Sequence, residues 1–281
     1  MSRITRAFAG GKAFIPFITG GDPDLETTVR LVPAMAEAGA NLIEIGIPFS
    51  DPVAEGVVIQ EASKRALSGG CTTDKLLAAV IKIRQKTDVP LLFMTYFNPI
   101  FTYGKESFLS RCAGCGIDGV IVPDLPLEEK DELDGVCGLH GIDLISMIAP
   151  TSEDRIAMIA REARGFIYCV SSLGVTGVRS GITTDIGKMV QRVRGVTSVP
   201  CAVGFGISTP EQAGSMARLA DGVIAGSAIV ELVAKYGRDS VEPVMGYVRG
   251  MKRGMKDALK WNQGQEKNPG GGHNHVQKYF A

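Results

Sequence analysis

Eight short apolar runs, separated by amphipathic stretches, dominate this sequence. The runs are rich in β-branched side chains and nearly continuous in hydrophobicity, without a polar residue at every second position. Strands that are buried on both faces of a parallel sheet have this pattern. The runs lie at 13–19, 41–46, 90–96, 118–125, 143–150, 165–170, 200–206 and 221–226.

The amphipathic stretches between the runs predict helices, so the chain contains eight strand–helix units. This number and the chain length predict a (β/α)8 TIM barrel over residues 1–260, with an extra short helix at 57–70. A doubly wound sheet needs fewer strands, and the chain has no G-x-G-x-x-G turn. Residues 261–281 are glycine-rich and unpatterned, which predicts a flexible, disordered C-terminal tail.

The charge balance limits the kinds of partner. The chain has 30 Lys and Arg residues against 30 Asp and Glu residues, so its formal net charge is zero. Nucleic-acid binders and polybasic membrane-surface proteins normally carry a basic excess. No apolar run approaches the ~20 residues that span a bilayer. We therefore expect a cytoplasmic protein that binds neither nucleic acid nor membrane.

Six cysteines raise the question of a metal site. Cys112 and Cys115, followed by Cys137 and His140, have a spacing that zinc ligands could adopt. However, each pair falls three residues apart on a predicted helix, and a whole strand separates the two pairs. We favour buried thiols and an exposed histidine, and we expect no metal site.

Carboxylates cluster around the end of the second strand. Glu44 lies between Ile43 and Ile45, and its register points its side chain into the barrel mouth. A carboxylate there is costly unless it is solvated, paired or functional. It could serve as an internal hydrogen-bonding group. Asp51 and Glu55 follow on a loop, and a strand carboxyl with a loop carboxyl suits a general acid–base pair.

Glycine-rich segments follow the last two strands, at 204–208 and 226–230. Glycines let the backbone approach an anion, and helix N-terminal N–H groups receive it. These are the loops that recurrently bind phosphate in this fold, so we predict a phosphate site here, although glycines also serve simply in tight turns. The long polar segment 171–181 after strand six has the profile of a mobile lid or of a solvated loop.

Six strings together resemble the tryptophan synthase α subunit family. They are PFITGGDP, IEIGIPFSDPVAEG, VPDLP, SSLGVTG, GFGIS and GSAIV, and they occur in order between Arg3 and about Ala258. The resemblance implies a lyase that cleaves indole-3-glycerol phosphate to indole and glyceraldehyde 3-phosphate. This retro-aldol reaction of tryptophan biosynthesis uses no metal or cofactor.

The resemblance also implies roles for individual residues. Glu44 becomes the proton-transferring glutamate and Glu55 the second catalytic carboxylate. Asp51 and Asp124 are implied to help the loops close and contact a partner. Among the residues implied to form the substrate site, Tyr168 supports the substrate near Glu44, and Thr176 positions the lid against the second carboxylate. The apolar indole pocket is implied to be formed by Phe17, Met94, Leu125 and Ile207. Those implied to hold its phosphate are Gly177, Gly206, Gly226 and Ser227.

The chain departs from the family at the second carboxylate. The family string is PxADG, whereas this chain has Glu55 in place of the aspartate and Val57 in place of a proline. Glutamate keeps the charge but adds one methylene, and a misplacement of ~1 Å can cost ~10²-fold in rate. We expect the loop to be refitted around the longer side chain.

The resemblance implies a partner as well. The family's α subunit works with a pyridoxal-phosphate β subunit in an αββα tetramer, and indole passes between them. The loop after strand two, the segment 98–101 and the lid are the expected contact surfaces. Two alternatives stay open: another phosphate-binding barrel enzyme, such as a sugar-phosphate isomerase or epimerase, and a non-catalytic activator of the β subunit.

Overall fold

The eight predicted strands form one closed parallel barrel. The computed structural model describes residues 2–150, 153–170, 183–204 and 206–266. Within them each strand pairs in parallel with the next, and β8 pairs with β1. The strands are β1 (Ala13–Thr19), β2 (Ile43–Gly46), β3 (Leu91–Met94), β4 (Gly119–Ile121), β5 (Asp143–Ile148), β6 (Ile167–Val170), β7 (Cys201–Gly204) and β8 (Gly222–Ala225). Every strand falls inside its predicted run, which confirms the TIM barrel.

Helices cover the barrel, and the predicted extra helix is one of them. The α-helices in the described residues are α1 (Arg3–Ala9), α2 (Leu25–Glu37), α3 (Val57–Ser68), α4 (Thr73–Arg84), α5 (Phe97–Tyr103), α6 (Lys105–Cys115), α7 (Asp131–Leu139), α8 (Glu153–Arg161), α9 (Thr183–Arg194), α10 (Pro210–Leu219), α11 (Ser227–Tyr236) and α12 (Val241–Glu266). The predicted tail begins inside α12, and its residues 267–281 lie outside the described residues.

Burial on both faces explains the continuous hydrophobicity of the strands. In β6, Ile167 and Cys169 point outward into the layer between the sheet and the helices. Tyr168 and Val170 point inward, together with side chains from the other strands. No face of a strand is left to solvent, so no polar alternation is required.

The pattern missed the two shortest helices, α1 and α5. In α1, the Ser2 hydroxyl caps the N-terminus by accepting a hydrogen bond from Thr5 N–H at 3.2 Å. Ile4 is fully buried, and the Phe8 ring packs 5.6 Å from that of Phe166, so α1 closes the N-terminal end of the barrel. Seven residues give too few turns for a helical period to show.

The cysteine-rich helices are consistent with buried thiols. Cys112, Cys115 and Cys137 are buried, and burial raises the pKa of the Cys137 thiol to about 12. His140 is half-buried, with its Nε2 atom 2.6 Å from a Glu106 carboxylate oxygen. The described residues contain no group of three or more His, Cys, Asp and Glu side chains that could hold a metal ion. None of the described helices combines the length and apolarity needed to cross a bilayer.

Helices α10 and α12 pack so closely that their backbones are in contact at Gly254. A Cβ on Gly254 would collide with the Pro210 carbonyl oxygen, whereas one on the exposed Gly246 of the same helix would meet nothing within 4 Å. Gly254→Ala should lower the free energy of unfolding by about 2 kcal/mol, since the helices must separate. Gly246→Ala should raise it by up to ~1 kcal/mol through helix propensity. Urea unfolding measures the free energy of unfolding of both variants, and equal stability of the two would contradict the prediction.

Candidate active site

A cavity of about 350 Å³ opens at the C-terminal end of the barrel. Its wall draws on several strand ends and on the first turns of α3 and α11, which is where enzymes of this fold place their chemistry. Nine residues predicted for the site line it, namely Phe17, Glu44, Glu55, Met94, Tyr168, Gly206, Ile207, Gly226 and Ser227. The structure therefore brings most of the predicted residues into one chamber.

Glu44 is a buried carboxyl group on a rigid strand. Its backbone pairs with Phe17 on β1 and Leu92 on β3, which fixes its position. The side chain is completely buried, and neither carboxyl oxygen has a hydrogen-bond partner among the described residues. Burial disfavours the charged form and raises the pKa of Glu44 to about 8. The proton therefore stays on this group at neutral pH.

Tyr168 lies on β6, across the barrel interior from Glu44 on β2, and both side chains line the cavity. Its ring is buried, and a Cβ on Gly204 of the neighbouring strand would lie only 2.5 Å from the Tyr168 hydroxyl oxygen. Glycine at 204 therefore leaves room for the tyrosine hydroxyl. Burial is the main cause that raises the pKa of Tyr168, and the negative charge on Glu44 adds to it. The hydroxyl thus remains protonated next to the carboxyl group.

Glu55 supplies a second carboxyl group from the loop between β2 and α3. Burial raises its pKa to about 7, although a hydrogen bond from the Tyr96 hydroxyl acts in the opposite direction. Tyr96 also accepts a hydrogen bond from Ala54 N–H at 3.1 Å. The Gln60 side chain on α3 donates to the Glu55 carbonyl oxygen at 2.8 Å. Tyr96 and Gln60 thereby hold the loop so that Glu55 faces the cavity.

Backbone N–H groups at the N-terminus of α11 lie at the edge of the cavity, where β8 meets α11. The first hydrogen bond of α11 runs from Ile229 N–H to the Gly226 carbonyl, at 2.8 Å. The N–H groups of Ser227 and Ala228 come before Ile229 in the chain, so they have no acceptor within α11. Both residues line the cavity. Gly206, with φ of +75°, lines the same cavity after β7. These backbone groups could receive a phosphate without any lysine.

Five predicted residues lie elsewhere or outside the described residues. Leu125 sits four residues beyond the end of β4 and lines a separate cavity of about 260 Å³ that faces α8. Asp124 accepts a hydrogen bond from Phe97 N–H at 2.9 Å and so fixes the start of α5. Asp51 is exposed and accepts from the Ser50 hydroxyl at 2.5 Å. Thr176 and Gly177 lie outside the described residues, as does the whole predicted lid.

Several lining residues were not predicted as site residues. Val58 and Ile59 come from the first turn of α3, and Glu231 comes from α11. Glu231 follows Ser227 by four positions, so the helical period could have placed both on one face. The others are Ala54, Ser208, Ile224 and Ala228.

Known proteins are similar to this chain over most of its length. The family profile for the tryptophan synthase alpha chain matches residues 6–260. A tryptophan synthase alpha chain from Citrifermentans bemidjiense is 50% identical over 262 residues, covering 91% of this chain and 98% of that protein. The chain belongs to the tryptophan synthase α chain family. It is therefore a lyase of tryptophan biosynthesis, and the resemblance carried by the six strings is confirmed.

Other members agree in sequence and in structure. The family member from Lactiplantibacillus plantarum is 49% identical over 260 residues, covering 92% of this chain and 97% of that protein. The solved subunit α from Legionella pneumophila superposes with a TM-score of 0.83 at 34% identity, covering 92% of this chain and 99% of that one. A solved tryptophan synthase α2β2 complex from Pyrococcus furiosus gives a TM-score of 0.80 at 36% identity, covering 86% and 98%.

The buried Glu44 predicts a specific pH dependence of stability. Between the ordinary glutamate pKa of 4.5 and about 8, the folded protein holds a proton that the unfolded chain releases. Stability therefore falls as pH rises through this window and levels off above it. Glu44→Gln removes the effect. The free energy of unfolding of the variant, relative to that of wild type, should therefore rise by roughly 3–5 kcal/mol between pH 5 and pH 9. Urea unfolding at several pH values measures these free energies. Profiles of stability against pH that run parallel for wild type and Glu44→Gln would refute the prediction.

Proposed function

We propose that Glu44 and Glu55 carry out the family's cleavage of indole-3-glycerol phosphate in this chain. The observation that supports this is one cavity lined by a buried carboxyl group, a half-buried carboxyl group and the N-terminal backbone of α11. The cavity offers an apolar wall from Phe17, Met94 and Ile59 for the indole ring. The N-terminus of α11 offers the position for the phosphate.

Phe17 connects the two ends of the proposed substrate site. Its backbone pairs with Glu44 in register, and its ring carbons lie 3.2–3.5 Å from where a Cβ on Gly226 would be. A phosphate at Gly226 and Ser227 and an indole beside Glu44 would therefore be separated by about one aromatic side chain. The glycerol chain of the substrate has to cross this gap.

Glu44 would move two protons. In the protonated form that burial favours, its carboxyl group donates a proton to C3 of the indole ring. The ring becomes an iminium cation and can accept electrons from the adjoining C–C bond. As that bond breaks, the Glu44 carboxylate accepts the proton of the side-chain hydroxyl, which becomes the aldehyde oxygen. Indole and glyceraldehyde 3-phosphate result, and Glu44 ends in its starting state.

Glu55 would stabilise the positive charge that develops at the indole nitrogen. A carboxylate aimed at developing charge in a partly dry site is among the strongest contributions that an enzyme makes. Burial, partly offset by the hydrogen bond from the Tyr96 hydroxyl, raises the pKa of Glu55 to about 7, so an approaching cation would favour its ionised form. The extra methylene is compatible with this role because the side chain reaches both the cavity and the Tyr96 hydroxyl.

We also propose that the barrel mouth binds a tryptophan synthase β subunit. The Pyrococcus furiosus relative was solved as an α2β2 complex. On this chain, Val53 and Val57 flank Glu55 with exposed apolar side chains, and Phe101 on α5 is also exposed. A partner that covers Val53 and Val57 would bear directly on the loop that holds Glu55. The position of that loop would then depend on whether the β subunit is bound.

Replacing Glu44 tests the proton-transfer role. Glu44→Gln keeps the shape but removes the acid, and general acid–base groups supply ~10²–10⁴-fold. We expect a loss of kcat of that size in a steady-state lyase assay with saturating β subunit. Glu61→Gln is the control, because Glu61 is an exposed carboxylate on α3 that pairs with Lys64, and it should retain wild-type turnover. Near-full activity of the Glu44 variant would disprove the assignment.

Shortening and removing Glu55 tests the second carboxylate. If the loop fits a glutamate, Glu55→Asp should not raise kcat/KM, and Glu55→Ala should lower it much further by leaving the ring nitrogen without a carboxylate. If glutamate is instead a degraded aspartate, Glu55→Asp should raise the rate tenfold or more, which is ~1.4 kcal/mol of barrier.

The same assay addresses the competing function. A chain that stimulates the β subunit but has no lyase activity of its own would be an activator. Equal and measurable lyase rates for wild type and Glu55→Ala would show that Glu55 has no catalytic role, whereas the absence of lyase activity in wild type would favour the activator.

A further inference from the structure

Tyr247 connects the last helix to the loop that follows β7. It lies on α12 with a half-buried ring, and its hydroxyl donates a hydrogen bond to the Ser208 carbonyl oxygen at 3.1 Å. Burial is the main cause that raises the pKa of Tyr247, so the hydroxyl keeps the proton that it donates. Ser208 lines the cavity beside Gly206, whereas Tyr247 is not among the residues that line it.

The other polar groups of Ser208 are also fixed. Its N–H donates to the Gln212 side-chain oxygen at 2.8 Å, and its hydroxyl donates to the same oxygen at 3.2 Å. Gln212 itself belongs to a capping box with Thr209 at the start of α10. Ser208 is therefore held by α10 through its N–H and by α12 through its carbonyl.

Close helix packing sets the position of Tyr247. Gly250 and Gly254 follow it at three and seven positions along α12, on the same face. That face lies against the start of α10, because a Cβ on Gly254 would collide with Pro210 and one on Gly250 would lie 3.9 Å from the Pro210 ring. Contact between the two backbones leaves little freedom for α12 to slide, so the tyrosine hydroxyl stays opposite Ser208.

We propose that Tyr247 is a positioning residue for the phosphate end of the active site. This rests on the proposed function, which puts the substrate phosphate at Gly206, Gly226 and Ser227. Only Ile207 lies between Gly206 and Ser208 in the chain, so fixing the Ser208 peptide limits how far the Gly206 N–H can turn from the anion. Without the hydroxyl, the loop has to be ordered when the phosphate binds, and that ordering weakens affinity.

Tyr247→Phe removes only the hydroxyl and tests the proposal. By calorimetry, the Kd of glycerol 3-phosphate should rise about fivefold, the effect of losing one ordinary hydrogen bond. The Kd of indole, which has no phosphate, should not change. In the lyase assay KM should rise by a similar factor, while kcat stays within about twofold. Tyr103→Phe is the matched control, since its hydroxyl contacts Asp74 on the outside of the barrel, and both affinities should stay at wild-type values.

Other outcomes would overturn the proposal. Unchanged glycerol 3-phosphate binding in Tyr247→Phe would show that the loop needs no anchor on α12. An equal loss of indole and glycerol 3-phosphate affinity, with a lower Tm, would show that the hydroxyl serves general stability. A wild-type protein that binds indole but no glycerol 3-phosphate would remove the phosphate end itself. A wild type that binds both ligands but does not cleave the substrate would contradict the proposed function. In that case the Kd of glycerol 3-phosphate for Tyr247→Phe, compared with wild type, would still decide the role of Tyr247.

Discussion

The carboxyl group of Glu44 is buried among apolar side chains with no partner among the described residues, and the rest of the site is organised around that arrangement. Holding this group charged in such a place would cost roughly 5 kcal/mol relative to water, so the protein keeps it protonated up to a pKa of about 8. A protein of ordinary stability tolerates this because the closed barrel buries apolar side chains on both faces of its strands. The result is a carboxyl group that still holds its proton near neutral pH.

The two carboxyl groups differ in how they are held. Glu44 is fixed by strand pairing on both sides, whereas Glu55 is fixed by a loop that depends on Tyr96 and Gln60. A rigid acid next to an adjustable carboxylate suits a reaction whose charge appears only after proton transfer. It also explains how this chain could use a glutamate where the family string has an aspartate. A loop can take up one methylene, whereas a barrel strand cannot.

The sequence predicted what depends on local pattern. Continuous apolar runs predicted all eight strands, and the register of Ile43 and Ile45 predicted that Glu44 points inward. The amphipathic stretch at 57–70 predicted the extra helix α3. These features depend on the periodicity of side chains over a few residues, which can be read along the chain.

Features that depend on packing could not be predicted in this way. Leu125 lines a separate cavity because the turn after β4 carries it towards α8. Glu231 lines the cavity and Tyr247 reaches Ser208 because of how α11 and α12 lie against the barrel. No spacing in the sequence brings Tyr247 near Ser208, 39 residues before it. The roles of Thr176 and Gly177, which lie outside the described residues, stay predictions.

The most direct test is a titration of Glu44 itself in the folded protein. Carbon-13 NMR of side-chain carboxyl groups, with the Glu44 resonance assigned by its absence in Glu44→Gln, follows protonation at that one position. The account predicts that Glu44 is protonated at pH 6 and titrates with a midpoint near 8. A resonance already ionised at pH 6, with a midpoint close to the ordinary value of 4.5, would contradict it.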